Sequence, residues 1–145
     1  MIAIGCDHGG FELKQVLIQH LQDKGYEVKD YGAHTPEAVD YPIIAEAVCN
    51  SITSGECELG ILVCGTGIGM SMAANKIKGI RAAAVSETFS ARLTRMHNNA
   101  NVLCLGGRVV GPGLACDIAD EFLEAEFEGG RHQRRVDLFM AFENK

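Results

Sequence analysis

Short, nearly continuous apolar runs alternate along this chain with apolar stripes spaced three and four residues apart. Met1–Cys6, Leu59–Val63, Ile80–Val85 and Asn101–Leu105 have the pattern of strands buried on both faces of a parallel sheet, and Tyr26–Tyr31 predicts another. Between the first two strands, Phe11, Leu13, Val16, Leu17, Ile18 and Leu21 form a helical stripe that Gly25 closes. A polar loop covers residues 32–41, and Pro42 opens a helix through Ala45, Val48 and Ile52 that stops at Gly55. Further helices are expected over Met70–Ile77, about Glu87–Met96, Pro112 to near Phe127, and Val136–Phe142. Strands joined by crossover helices predict a single α/β domain over residues 1–145. Its expected form is a three-layer, Rossmann-like sandwich with a five-stranded parallel sheet in the order 2-1-3-4-5. Ligands of such sheets gather at the carboxyl ends of the strands, near the point where the strand order reverses.

Composition narrows the function. Of the 145 residues, 47% are hydrophobic and 22% charged, ordinary globular proportions that allow one buried core. A net charge of −6 leaves no excess of Lys and Arg for a nucleic-acid backbone, whereas a small phosphorylated ligand needs only a few local cations. There is no basic-then-apolar leader and no apolar run approaching about 18 residues, so a cytoplasmic protein without membrane contact is expected. The six cysteines include no CxxC pair, which in a leaderless chain fits reduced thiols better than disulfides or zinc. The five histidines include no HxxxH or HxH pair, so no metal is expected.

The candidate chemistry centres on ELGILVCGTGIGMSMAANK, Glu58 to Lys76. Cys64 ends the third strand, and Gly65, Thr66, Gly67, Ile68 and Gly69 form a loop whose glycines let backbone N–H groups face a ligand. The helix that follows turns its positive dipole end toward this loop. A thiolate would be stabilised there, and the same amides could hold an oxyanion or a sugar oxygen. The plainer alternative makes Cys64 a small buried hydrophobe and the glycines a tight turn. The usual glycine-loop functions do not fit. No lysine follows at P-loop spacing, the GTGIG loop follows the third strand rather than the first, and there is no GxSxG elbow. What remains is acid–base or nucleophilic work by a thiol on a small polar ligand.

Three further clusters could serve the same ligand. Asp7 and His8, flanked by Gly9 and Gly10 at the end of the first strand, can orient hydroxyls or contact an anion; otherwise Asp7 caps a helix and His8 is solvated. His97, Asn98 and Asn99 form a polar knot before the fifth strand, where asparagines can also simply stop a helix. Arg131, Arg134 and Arg135 make a basic run in an acidic protein. If the run is helical, Arg131 and Arg135 point the same way and suit one phosphate; the alternative is a solvated charge run.

Taken in order, GCDHGG at 5–10, DYP at 40–42, CGTGIG at 64–69, NK at 75–76, HNN at 97–99, GGRVVG at 106–111 and GGRHQRR at 129–135 resemble one family over almost the whole chain. It is the ribose/galactose phosphate isomerase family, which groups ribose-5-phosphate isomerases of the B type with galactose-6-phosphate isomerase subunits. The resemblance implies interconversion of D-ribose 5-phosphate and D-ribulose 5-phosphate, a step of the pentose phosphate pathway, without metal or organic cofactor. It implies that Cys64 is the base that moves a proton between C1 and C2 through an enediolate, and that His97 opens the furanose ring. Thr66 is the third catalytic candidate, its hydroxyl joining the loop amides at the oxyanion. Asp7, His8, Tyr41, Gly65, Gly67, Ile68, Gly69, Asn98, Arg108, Arg131 and Arg135 match substrate-binding positions. Some relatives place a glutamate base further along the glycine loop; GIGMS here puts the cysteine version in its place. The alternatives are an isomerase of a six-carbon sugar phosphate, allose or galactose 6-phosphate, and a non-catalytic sugar-phosphate binder, which would need neither Cys64 nor His97.

Strand polarity adds an expectation about assembly. Cys64 ends a strand, whereas His97 precedes one, so in a parallel sheet they lie at opposite edges, about 17–20 Å apart. If both act on one small sugar, a homodimer, or a tetramer built from it, must share its active sites between chains. The C-terminal helix, about 134–144, is expected at that dimer interface.

Overall fold

The computed structural model describes residues 1–145. Five parallel strands, β1 (Ile2–Cys6), β2 (Val28–Asp30), β3 (Leu59–Cys64), β4 (Ala82–Ala84) and β5 (Val102–Gly106), form one sheet in the order β2-β1-β3-β5-β4. Register runs Ile2↔Leu59 to Cys6↔Val63 between β1 and β3, and Gly60↔Val102 to Cys64↔Gly106 between β3 and β5. The carboxyl ends of β1, β3 and β5 therefore finish level with one another. The helices are α1 (Phe11–Asp23), α2 (Tyr41–Thr53), α3 (Ile68–Ala74), α4 (Thr88–Asn98), α5 (Pro112–Glu124) and α6 (Arg131–Met140).

Residues alternate across the strands and divide the core in two. Ile2, Ile4, Cys6, Ile61, Val63, Leu103 and Leu105 face α1, α4 and α5, where Leu17, Leu21, Ala91, Ile118 and Phe122 close the layer. Ala3, Leu62, Cys64, Val102 and Cys104 face α2 and α3 through Ala45, Val48, Cys49, Met70 and Ala74. The three-layer expectation holds, with its last two strands exchanged: 2-1-3-5-4 stands in place of 2-1-3-4-5. All five residues of β5 are buried, whereas β4 is three partly exposed alanines. Burying a Val or Leu side chain is worth roughly 1.5–3 kcal/mol, so the Val102–Leu105 strand takes the inner slot and the short alanine strand the edge.

Element ends differ from expectation for local reasons. The strand expected from Tyr26 begins at Val28, because the Tyr26 N–H still donates to the Leu21 carbonyl and finishes α1. The last helix begins at Arg131 rather than Val136, so the basic cluster is helical.

One buried cation ties the first crossover together. Lys14, on the inner face of α1, is fully buried, and its Nζ donates to both carboxylate oxygens of Asp30 at 2.7 and 2.9 Å and to the Ala33 carbonyl at 2.6 Å. All three ammonium donors are thereby used. Lys14→Ala should lower unfolding free energy in urea by about 3–5 kcal/mol, the range for breaking a buried pair from one side. A loss under about 1 kcal/mol would show that Asp30 is served equally well by water.

Candidate active site

The β1, β3 and β5 ends meet as three loops packed backbone against backbone. The Gly107 N–H donates to the Cys64 carbonyl at 2.8 Å, the Arg108 N–H to Gly65 at 3.0 Å and the Asp7 N–H to Val63 at 3.1 Å. Glycine is required for two of these approaches. A Cβ on Gly107 would stand 2.6 Å from the Gly9 carbonyl oxygen, and one on Gly106 would stand 2.8 Å from the Thr66 backbone. Beyond this junction opens a cavity of about 410 Å³ lined by His8, Gly9, Glu12, Gly107 and Arg108 among others.

Cys64 is the last residue of β3 and lies beneath the glycine loop, 5% exposed. Its Sγ accepts the Gly67 N–H at 3.1 Å. Gly67 holds φ 83°, a left-handed conformation that starts α3 at Ile68 and turns its amide back toward the sulfur. Thr66 is exposed and its Oγ1 accepts the Ile68 N–H at 3.2 Å. Tyr41 lies with its ring against Gly69, where an added Cβ would approach within 2.9 Å, and the Arg108 guanidinium lies over Gly65. Asp7 is buried and its Oδ1 accepts the Gly9 N–H at 2.8 Å, so it caps the short turn that leaves His8 exposed. The structure thus gathers Asp7, His8, Tyr41, Cys64, Gly65, Thr66, Gly67, Ile68, Gly69 and Arg108 at one edge. Burial pushes the Cys49 thiol in α2 up to about 12 and also raises Cys6 and Cys104. These are packing thiols.

The remaining candidates stand at the opposite edge. α4 ends at Asn98, and Asn99 at φ 50° turns the chain so that the Ala100 N–H donates to the Thr94 carbonyl at 3.0 Å, so this asparagine does stop the helix. Asn98 is exposed and borders a larger cavity of about 750 Å³ with Lys76, Lys78 and Arg81. His97 stacks on His132 of α6, ring centroids 4.2 Å apart and planes within 9°. Arg131 and Arg135 are exposed on that same helix, one turn apart. Within one chain, His97, Asn98, Arg131 and Arg135 are not brought to Cys64.

Sequence reasoning missed Glu128 and His132. The Glu128 carboxylate lies 3.6 Å from Nε2 of His97 and 3.6 Å from Nε2 of His132. His132 was hidden inside a basic run, and Glu128 carries no local signal, because only the chain path from α5 to α6 brings it to α4. These three are also the side chains whose donor atoms cluster closely enough to suggest a metal. Parallel rings, however, cannot aim both Nε2 lone pairs at one ion, so the arrangement fits a metal poorly. Burial first, then His97 and Arg131, hold His132 below the ordinary imidazole value.

A model of the Ribose/Galactose Isomerase family matches residues 2–139. A protein of Escherichia coli K12 named ribose-5-phosphate isomerase B is 51% identical over 99% of this chain and 97% of its own length. A solved ribose-5-phosphate isomerase B of Clostridium thermocellum superposes with a TM-score of 0.97 at 52% identity, covering 99% of this chain and 97% of that one. The Mycoplasma genitalium ribose-5-phosphate isomerase B, solved with bound ribulose-5-phosphate, has a TM-score of 0.95 at 46% identity, covering 99% and 96%.

The glycine junction makes a direct forecast. Gly107→Ala should cost about 1–3 kcal/mol in urea unfolding, because the methyl group meets a backbone carbonyl that cannot rotate away. Gly111→Ala, where nothing lies within 4 Å of the added carbon, should change stability by less than about 0.5 kcal/mol. Equal costs at the two positions would contradict the packing described.

Proposed function

The chain belongs to the ribose/galactose isomerase family, and on that premise we propose that it interconverts D-ribose 5-phosphate and D-ribulose 5-phosphate. The observation that carries this is a thiol at the end of β3, with a backbone N–H on its sulfur, at the junction from which a cavity lined by His8 and Arg108 opens. The setting belongs to a chain 46% identical to one solved with bound ribulose-5-phosphate.

Cys64, as the thiolate, takes the proton from C2 of the open aldose. The electron pair of that C–H bond forms the C1–C2 double bond, and O1 becomes the enediolate oxyanion and takes up a proton. Loss of the O2 proton and return of the proton from Cys64 to C1 complete the ketose. The developing negative oxygen falls to the Gly65–Gly69 amides and the Thr66 hydroxyl, donors already ordered by the loop. Asp7, His8 and Tyr41 hold the sugar hydroxyls, and Arg108 a polar end of the ligand. His97 opens the furanose ring, Asn98 binds beside it, and Arg131 with Arg135 clamp the phosphate.

These roles need two chains. β3 spans six residues, roughly 17 Å from end to end, and His97 lies beyond its far end. A two-fold homodimer that presents His97, Asn98, Arg131 and Arg135 of one subunit to Cys64 of the other completes the site, alone or within a tetramer. Exposed Leu138, Phe139 and Phe142 at the end of the chain supply apolar surface for such an interface. No helix is long and apolar enough to cross a membrane, and all six cysteines are free thiols, which suits a cytoplasmic enzyme.

Cys64→Ala should reduce isomerisation by about 10²–10⁴-fold or more while calorimetry still detects substrate binding, and Cys49→Ala should keep the parent rate within a few-fold. Activity of the Cys64 variant near that of the parent would exclude it as the base. Sharing of the site is tested by mixing inactive Cys64→Ala and His97→Ala proteins after dissociation and letting them reassemble. Random pairing regenerates roughly a quarter of the sites if each site draws on both chains. Sites built within single chains regenerate none, so a mixture that stays inactive after proven exchange refutes the shared model.

A further inference from the structure

Glu128, His132 and His97 form a unit that the reaction as described does not use. The chain leaves α5 at Glu124 and passes across the end of α4, where the Glu128 N–H donates to the Met96 carbonyl at 3.0 Å. Gly129 and Gly130, at φ 70° and 58°, then turn it into α6, and the His132 N–H donates back to the Gly129 carbonyl at 3.1 Å. This path seats one carboxylate against two imidazoles, Oε1 toward Nε2 of His97 and Oε2 toward Nε2 of His132, each 3.6 Å away. Either contact reaches hydrogen-bond length with a shift of about half an ångström.

We propose that Glu128 is a positioning residue for His97: its carboxylate keeps the imidazole in the Nε2–H tautomer, so that Nδ1 is the basic atom offered to the sugar. The reasoning is one of donors and acceptors. An ionised carboxylate only accepts, so the nitrogen that faces it must carry hydrogen; the opposite tautomer would set a lone pair against a negatively charged oxygen. The stack with His132 fixes the other variable, the plane of the ring, since His97 cannot turn about its Cβ–Cγ bond without sliding off a neighbour 4.2 Å away. His132 is almost fully buried, so the surface it offers to His97 is held by its surroundings. It is also held toward its neutral form, by burial first and then by His97 and Arg131, against the opposing pull of Glu128.

The inference rests on the ring-opening role proposed for His97 and gives it an atomic form. Nδ1 of neutral His97 accepts the proton of the C1 hydroxyl. The oxygen pair closes the C1=O1 carbonyl as the C1–O4 bond breaks, and O4 leaves with the electrons of that bond. The proton on Nδ1 passes to O4, and the imidazole returns to its starting tautomer.

The test compares Glu128→Gln with the parent, because the amide offers one acceptor and one donor where the carboxylate offered two acceptors. D-ribulose 5-phosphate cannot close a ring, its 5-hydroxyl being esterified, so the ketose direction needs no ring opening. Because the overall equilibrium constant fixes the ratio of kcat/KM in the two directions, both should fall about ten- to hundred-fold, a share of the usual acid–base factor. Exchange of the C1 hydrogen of D-ribulose 5-phosphate with deuterium oxide, which needs neither ring opening nor closure, should stay within about three-fold. Nitrogen-15 NMR of the substrate-free parent should show His97 protonated on Nε2, and the variant should lose that preference. Equal loss of isomerisation and of C1 hydrogen exchange, no loss of isomerisation, or an Nδ1–H tautomer in the parent would each overturn the proposal. Failure of the underlying function would appear separately, as a parent protein inactive on both sugars.

Discussion

The site depends on three strand ends touching without side chains between them. The register of the sheet finishes β1, β3 and β5 level, and at that level the chain carries Gly9, Gly65, Gly106 and Gly107. Backbone carbonyls then pack on backbone amides, and the Cys64 carbonyl and Gly65 carbonyl are tied to the next loop by hydrogen bonds. Such a junction is rigid because its polar groups are paired and its contacts at Gly106 and Gly107 leave no room for a methyl group. A thiol and an arginine fixed to this frame keep their spacing without help from a ligand, the preorganisation that the proposed proton transfer at carbon would demand.

The polarity of a parallel sheet supplies the second constraint. Every strand of the sheet points the same way, so residues that end strands and residues that precede them occupy opposite edges. Cys64, Asp7 and Arg108 are of the first kind; His97 is of the second, and α6 joins it through the His97–His132 stack. Folding a single chain more tightly cannot close the distance. The proposed association can, and exposed Phe139 lies on the helix that carries Arg131 and Arg135, with exposed Phe142 in the turn just after it. In the proposed dimer, assembly and chemistry are coupled, with the subunit contact setting the geometry of the reacting groups.

Charge in the fold follows one rule in two places. Lys14 is tolerated in the core because all three of its donors are satisfied, and Glu128 orders two imidazoles because it offers only acceptors. In each case the hydrogen-bonding inventory of one side chain decides the orientation of several neighbours.

The alternating pattern of apolar runs and helical stripes determined the α/β class and the number of strands, because burial on both faces leaves a signature in each strand by itself. The run of motifs from Asp7 to Arg135 likewise determined which residues to consider, since Cys64 with its glycines and His97 with its asparagines are local features. Strand order was legible only in part. Whether Ala82–Ala84 or Val102–Gly106 sits inside the sheet is a competition for buried area between segments, which no segment reveals alone. The contact of Gly107 with Gly9 and the facing of Glu128 to His97 and His132 join residues far apart in the chain, and their identities carry no mark of it. The sequence by itself determined the chemistry available; the tertiary structure decided which groups meet, because hydrogen bonds and steric contacts act through space and not along the chain.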